Sequence, residues 1–153
     1  MDTVTLGSGL VIQQQTIGVA NWTFGFPGVD GILGLGPTNL TIATTTDVFE
    51  FPTVMDNLYN QGTISQEVLG ISFPPSLQSD NEGKLTFGGY DDTATTSPLN
   101  YVPLTTTYPA SQFWGIDQSI SYGDVTILSL TAGIVDTGTT LILVATGEAY
   151  SKR

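Results

Sequence analysis

The sequence contains neither cysteine nor histidine, and only three of its 153 residues are lysine or arginine. Each absence removes a class of chemistry. Without histidine no Ser-His-Asp or Cys-His nucleophilic system can be assembled. Without cysteine or histidine there is no zinc site of the usual kind and no disulfide. Two of the three bases, Lys152 and Arg153, are the last two residues. That leaves Lys84 alone against fourteen Asp and Glu over the rest of the chain, and the formal net charge is −11. One interior lysine does not make the basic patch that nucleic acid requires, so no nucleic-acid partner is expected. Long apolar runs are missing too. Nothing approaches the roughly 18 residues of a transmembrane helix, and no membrane partner is expected. The opening stretch, MDTVTLGSGLVIQQQ, has no basic segment followed by an apolar core and small residues, so it does not read as a signal peptide.

What is present is a chain able to fold. Hydrophobic residues make up 40% and charged residues 11%, which is not the composition of a disordered acidic tail. The length suits one domain of ordinary size. The acids are scattered singly, as on a solvated surface. Carboxylates, hydroxyls and backbone donors are the groups left for hydrolytic chemistry, and no metal or cofactor is expected. Two N-x-[ST] sequons occur, at Asn21-Trp22-Thr23 and Asn39-Leu40-Thr41.

The local pattern is mostly β. Eighteen glycines and eight prolines punctuate short runs rich in Thr, Val and Ile. Strands are predicted over 4–6, 10–19, 31–35, 67–73, 84–87, 101–104, 113–121, 124–128, 133–135 and 141–144. Residues 113–128 read as a hairpin turning at Tyr122-Gly123-Asp124, where glycine supplies a positive φ. One helix is predicted over 52–61. Pro52 suits its first turn, Val54 and Leu58 share a face with Met55 and Tyr59 beside it, and Gly62 is placed for a left-handed cap. A second helix is expected to start near Thr146. The irregular stretches 74–83 and 91–98 bracket the strand at 84–87 and suit a lobe boundary.

The sharpest chemical signal is the segment 133–141, GIVDTGTTL. An apolar strand runs into Asp136, turns on Thr137-Gly138, and leaves through Thr139 and Thr140 into a second apolar run. A carboxylate at the end of a buried strand must be hydrogen-bonded. The N–H groups of Gly138 and Thr139, with the Thr139 hydroxyl, are placed to supply those bonds. Thr137 is free to point the other way, and Gly138 lets another backbone approach. An Asp-Thr-Gly tripeptide is also a common plain turn, but plain surface turns are not usually embedded between AGIV and LILV. A second signal, DGILGLG at 30–36, reads as a buried glycine-rich strand crossed at short range. Its spacing is not that of a nucleotide-binding loop.

Five segments in order give the chain its resemblance to the pepsin-like aspartic peptidases: DGILGLG at 30–36, VMDNLYNQGTISQ at 54–66, GKLTFGGYD at 83–91, Pro103-Leu104 with FWGI at 113–116, and IVDTGTT at 134–140. The lack of cysteine and the residues 113–117 lean towards fungal secreted members. The resemblance implies an all-β fold with one or two short helices, an incomplete form of the bilobal pepsin-like architecture. Residues 1–92 would be the C-terminal part of the first lobe, and 93–153 the start of the second. It implies an aspartic endopeptidase acting on peptide or protein substrates, and an extracellular or vacuolar setting.

In that family two aspartates, one per lobe, share a proton and a water, and one activates the water that attacks the peptide carbonyl. By resemblance Asp136 is the second of these aspartates. Thr137 is the threonine that locks the two D-T-G loops together. Gly138 and Thr139 support the carboxylate and bind substrate backbone, and Trp114 lines the cleft or packs in the core. The sequence has no other Asp-Thr-Gly and no counterpart of the family's flap. The expectation is a partial chain, inactive alone, with unpaired sheet edges that favour self-association. Two alternatives remain open here: a homodimer using one Asp136 per chain, and a non-enzymatic peptide-binding or structural remnant.

Overall fold

The computed structural model describes residues 1–46, 49–74 and 82–144. Its contacts divide the chain into two compact units, Met1–Leu99 and Asn100–Arg153.

The first unit opens with an antiparallel hairpin, β1 (Asp2–Gly7) and β2 (Leu10–Gln15). Its two-residue turn contains Gly9 at φ +80°, a conformation that a Cβ would oppose. The helix α1 (Val54–Asn60) packs on β2. Ile12, Val54, Met55, Leu58 and Ile64 form the buried core, and Val4, Leu6, Leu10, Leu69 and Phe87 pack against it. A second antiparallel pair completes the unit: β3 (Leu69–Ser72) with β4 (Lys84–Phe87), in register from Leu69↔Phe87 to Ser72↔Lys84. The segment after β4 returns across this pair. A Cβ at Gly70 would lie 2.9 Å from the Tyr90 Cα, so glycine is what permits the crossing. Lys84 and Asp91 form a surface ion pair at 2.6 Å. That contact, with the hydroxyl and N–H of Thr93, holds the Asp91 carboxyl down to about 2.

Both ends of α1 are closed locally. Thr53 is the N-cap: its side chain accepts from the Asp56 N–H, and the Asp56 carboxylate accepts from the Thr53 N–H at 2.6 Å. The helix therefore begins one residue after Thr53, and Pro52 lies before the cap rather than in the first turn. At the other end Gly62 stands at φ +72°, its N–H reaches the Tyr59 carbonyl, and the Thr63 N–H reaches the Leu58 carbonyl. This pair of bonds is a Schellman motif, and it brings Ile64 back onto the core.

The second unit is built on one long hairpin, β5 (Gly115–Tyr122) and β6 (Val125–Ile134). Gly123 takes φ +58° in the turn, as the sequence predicts. The register slips twice along the ladder, so the ten residues of β6 serve the eight of β5. Residues 105–113 fold onto the start of β5. The Thr105 N–H bonds the Gly115 carbonyl at 2.9 Å, and the buried Thr105 hydroxyl bonds Asp117 Oδ1 at 2.7 Å.

The mostly-β reading with one principal helix holds, and its errors are local. Residues 16–19, 31–35, 101–104 and 141–144 are not strands. Among the described residues no strand ladder forms along these apolar runs, and Val19, Ile32, Val102 and Ile142 are exposed. Residues 133–134 are the end of β6 rather than a separate strand. The helix expected near Thr146 lies outside the described residues.

Candidate active site

The Asp136 loop begins where β6 stops. The last backbone bond of the hairpin runs from the Val135 N–H to the Trp114 carbonyl at 2.9 Å, one step beyond the pairing of Gly115 with Ile134. The ladder thus delivers Asp136 next to a fixed strand end, with Trp114 across from its neighbour.

From there the loop closes on its own carboxylate. The Gly138 N–H donates to Asp136 Oδ1 at 2.9 Å, and the Thr139 hydroxyl donates to Oδ2 at 2.6 Å. The Thr139 N–H goes instead to the Asp136 main-chain carbonyl at 3.3 Å. Of the three donors that the sequence offered, two therefore reach the carboxylate and the third closes the turn. Both oxygens are engaged, so rotation of the carboxyl group is restrained and its plane is set by the backbone. The Thr139 hydroxyl, followed by the Gly138 N–H, stabilises the anion and lowers the Asp136 pKa below the ordinary aspartate value; slight burial opposes the shift. At neutral pH the group is an anion with hydrogen-bond acceptor capacity to spare.

Gly138 is fitted to this geometry. A Cβ there would lie 3.3 Å from Asp136 Oδ1, a contact that the carboxylate would have to yield to. Thr137, between the two, is exposed. The expectation of a buried strand end is not met within this unit. Ile134 is 44% exposed and Val135 52%, and the apolar run 141–143 beyond the loop is exposed as well. The carboxylate is hydrogen-bonded while open to solvent, so the bonds orient it rather than compensate for burial.

The structure brings Asp136, Gly138 and Thr139 into one cluster, and the backbone of Trp114 to its edge. The role of the Trp114 carbonyl in anchoring the strand end was not legible in the sequence, because it depends on the hairpin register. No cluster of three or more potential metal-ligating side chains occurs among the described residues.

Comparison with known proteins places the chain in a family. The model of the eukaryotic aspartyl protease family matches residues 1–151. The chain is 54% identical to polyporopepsin of Irpex lacteus over 99% of its own length and 45% of that protein's. It is 36% identical to rhizopuspepsin-1 of Rhizopus niveus, covering 93% of this chain and 35% of that one. Rat cathepsin E is 33% identical over 88% of the chain and 33% of its own length. Among solved structures, the crystal structure of an aspartic proteinase from Irpex lacteus superposes with a TM-score of 0.89 at 52% identity, over 97% of this chain and 44% of that one. The chain thus spans less than half the length of these relatives. With the Asp-Thr-Gly loop at the end of a β-strand and a family match along nearly its whole length, the chain belongs to the eukaryotic aspartyl proteases.

Proposed function

We propose that these residues are part of an acid endopeptidase in which Asp136 is one of two carboxylates acting on a shared water. The observation that supports the reading most directly is the Asp136 loop, with one carboxylate oxygen on the Gly138 N–H and the other on the Thr139 hydroxyl. Two carboxylates about 3 Å apart cannot both ionise, so one keeps a proton while the other stays an anion. The anion takes a proton from water as that water attacks the peptide carbonyl, and the protonated partner hydrogen-bonds the carbonyl oxygen. The hydrogen bonds that favour ionised Asp136 suit it to the anionic state.

Thr137 is assigned to the contact that locks this loop to its counterpart. Gly138 and Thr139 orient the carboxylate and bind substrate backbone, and Trp114 lines the cleft beside them. Residues 1–92 are assigned to the later part of the first lobe and 93–153 to the start of the second. The first Asp-Thr-Gly and the flap are then supplied by polypeptide beyond these residues, and the chain alone does not hydrolyse peptides. The family resemblance supports an extracellular or vacuolar setting.

The test is proteolysis of a protein substrate at acidic pH by the longer polypeptide and by the 153-residue chain. The longer form cleaves, Asp136→Asn lowers its rate by at least about 10²-fold, and the chain alone is inactive. Activity of the longer form that survives Asp136→Asn rejects the assignment.

One feature favours a second reading. The sequence holds a single Asp-Thr-Gly, and the apolar Leu141, Ile142 and Leu143 that follow it are exposed. Two copies associating through such surfaces would bring two Asp136 carboxylates together. Acid proteolysis by the chain alone, rising with the square of its concentration, is the result that this reading requires.

A further inference from the structure

Asp136 takes its place from the strand end before it, and that end is held from both sides. On one side Gly115 pairs with Ile134, and the Val135 N–H reaches the Trp114 carbonyl at 2.9 Å. On the other side stands Thr105, which is 6% exposed. Its N–H donates to the Gly115 carbonyl at 2.9 Å. Its hydroxyl donates to Asp117 Oδ1 at 2.7 Å and accepts from the Thr107 N–H at 3.2 Å. One residue thus grips β5 at two points, on either side of Ile116. A hydrogen bond to an ionised carboxylate is roughly twice as strong as one between neutral groups.

The packing around this grip is close. A Cβ at Gly115 would run into the Ala110 carbonyl and lie 2.9 Å from Thr105 Cγ2, so the 105–113 segment lies directly on the strand start. Ala110 is buried there, and its carbonyl accepts the Phe113 N–H at 3.0 Å. The rest of the hairpin is a two-stranded ladder, and Tyr122 and Val125 at its turn end are exposed. The end that leads to Asp136 is therefore the braced one. The bonds from Gly138 and Thr139 fix the carboxylate relative to its loop, but not the loop relative to the sheet. Trp114 and Val135 make that second connection, and Thr105 with Asp117 hold the strand that carries Trp114.

We propose that Thr105 and Asp117 are positioning residues for Asp136. Neither touches its carboxylate. They act through Gly115 and Trp114 on Val135, and so on the residue that follows it. The inference rests on the peptidase reading above, in which Asp136 must meet a second carboxylate and a shared water. A displacement of about 1 Å in such an arrangement costs on the order of 10²-fold in rate. Loosening the brace therefore lowers turnover more than it weakens substrate binding.

The experiment has two arms. In the longer polypeptide, steady-state kinetics at acidic pH compare the parent with Thr105→Val, Thr105→Ser and Asp117→Ala. In the 153-residue chain, amide hydrogen exchange is followed at Val135 and at the turn end, residues 121–126. Thr105→Val keeps the shape and removes the donor. Asp117 occupies an exposed strand position, so its variant reports on the same bond where Thr105→Val does not fold. The expected kcat falls at least about tenfold in Thr105→Val and Asp117→Ala, with KM within about twofold, and Thr105→Ser restores it. Val135 exchange quickens in the same two variants while the turn end keeps its rate. A hairpin that is merely destabilised quickens at both ends alike. An unchanged kcat, a Thr105→Ser as slow as Thr105→Val, or equal acceleration at both ends overturns the proposal. Activity that survives Asp136→Asn rejects the peptidase reading instead, and the Val135 exchange rate still decides whether the brace exists.

Discussion

The Thr139 hydroxyl donates to Asp136 Oδ2 at 2.6 Å from three residues along the loop, while the Gly138 N–H holds Oδ1 at 2.9 Å. The side-chain bond is the larger of the two influences that depress the Asp136 pKa. Thr139→Val keeps the shape and removes the donor, so the Asp136 pKa rises towards the ordinary value. Thr139→Ser keeps the donor and leaves it depressed. A carbon-13 titration of the Asp136 carboxyl measures both. A carboxyl that titrates identically in the Val and Ser variants would show that the hydroxyl does not hold the anion.

The position of that loop shows where sequence reading stops. The turn at Gly123, the strand Lys84–Phe87 and the helix body were all legible, because each carries its own signal: a glycine with φ above zero, an alternating run, an apolar face ended by Gly62. The Asp136 motif was legible for the same reason, since its donors lie within three residues of the acceptor. Register was not. Counting outward from Tyr122↔Val125 pairs Gly115 with Ala132, yet it pairs with Ile134. Two irregularities each add a residue to β6. One such slip would reverse every face of the strand, and the second restores them. Only then does Trp114 reach Val135 and set Asp136 at the strand end. The expected strand at 31–35 is absent as well: its composition is that of a buried strand, but no ladder forms along it, and Ile32 and Leu33 are exposed.

The core of the first unit rests on few side chains, and Leu58 is fully buried among them. Leu58→Ala costs about 2–5 kcal/mol, from lost transfer energy and the cavity left behind. Gly62→Ala acts without any loss of contact. It forces a Cβ into the left-handed region at φ +72° and costs about 1–2 kcal/mol. Urea midpoints of the two variants order them, with Leu58→Ala the lower. Equal midpoints for Gly62→Ala and the parent would mean that the helix end is not fixed in this conformation.

Gln61, the C-cap of α1, uses its side chain as a strand would use its backbone. Its Oε1 accepts from the Gln13 N–H and its Nε2 donates to the Gln13 carbonyl, both at 3.0 Å. The helix end is thereby joined to the edge of β2. Gln61→Glu keeps the acceptor, removes the donor, and places a negative charge near a carbonyl and at a helix C-terminus, where the dipole is unfavourable. The variant is less stable than Gln61→Ala at neutral pH. Protonation of the new carboxyl restores a donor, so on acidification the order narrows or reverses. Denaturation of both variants across that range reads the effect. A Glu variant that stays below Ala by the same margin at all pH values contradicts the pairing.

Asp56 and Glu67 hold the acid response of the first unit between them. Glu67 is raised above its ordinary 4.5, chiefly by hydrogen bonding to Asp56, then by burial and by the Asp56 charge. For Asp56 burial is the largest single influence and acts upward. The Thr38 hydroxyl, the Thr53 N–H, Glu67 and the Thr53 side chain together outweigh it, leaving the pKa below 3.8. The signs are opposite. Glu67 binds its proton more tightly when folded, so its contribution is complete below 4.5 and fades as pH rises through its folded pKa. Asp56 contributes fully above 3.8 and fades as pH falls through its folded pKa. Stability from this pair therefore peaks on the acidic side of neutrality, between the two folded values. Glu67→Gln retains a donor to Asp56 without the charge. It removes the decline towards neutral pH, so its advantage over the parent grows as pH rises. Asp56→Ala takes away the acceptor for the Thr38 hydroxyl and the Thr53 N–H, and it removes the decline at the acid end along with about 1 kcal/mol of helix capping. Urea midpoints of the three proteins against pH separate these slopes. A parent profile parallel to that of Glu67→Gln from acid to neutral would mean that no proton is shared between the two carboxyls.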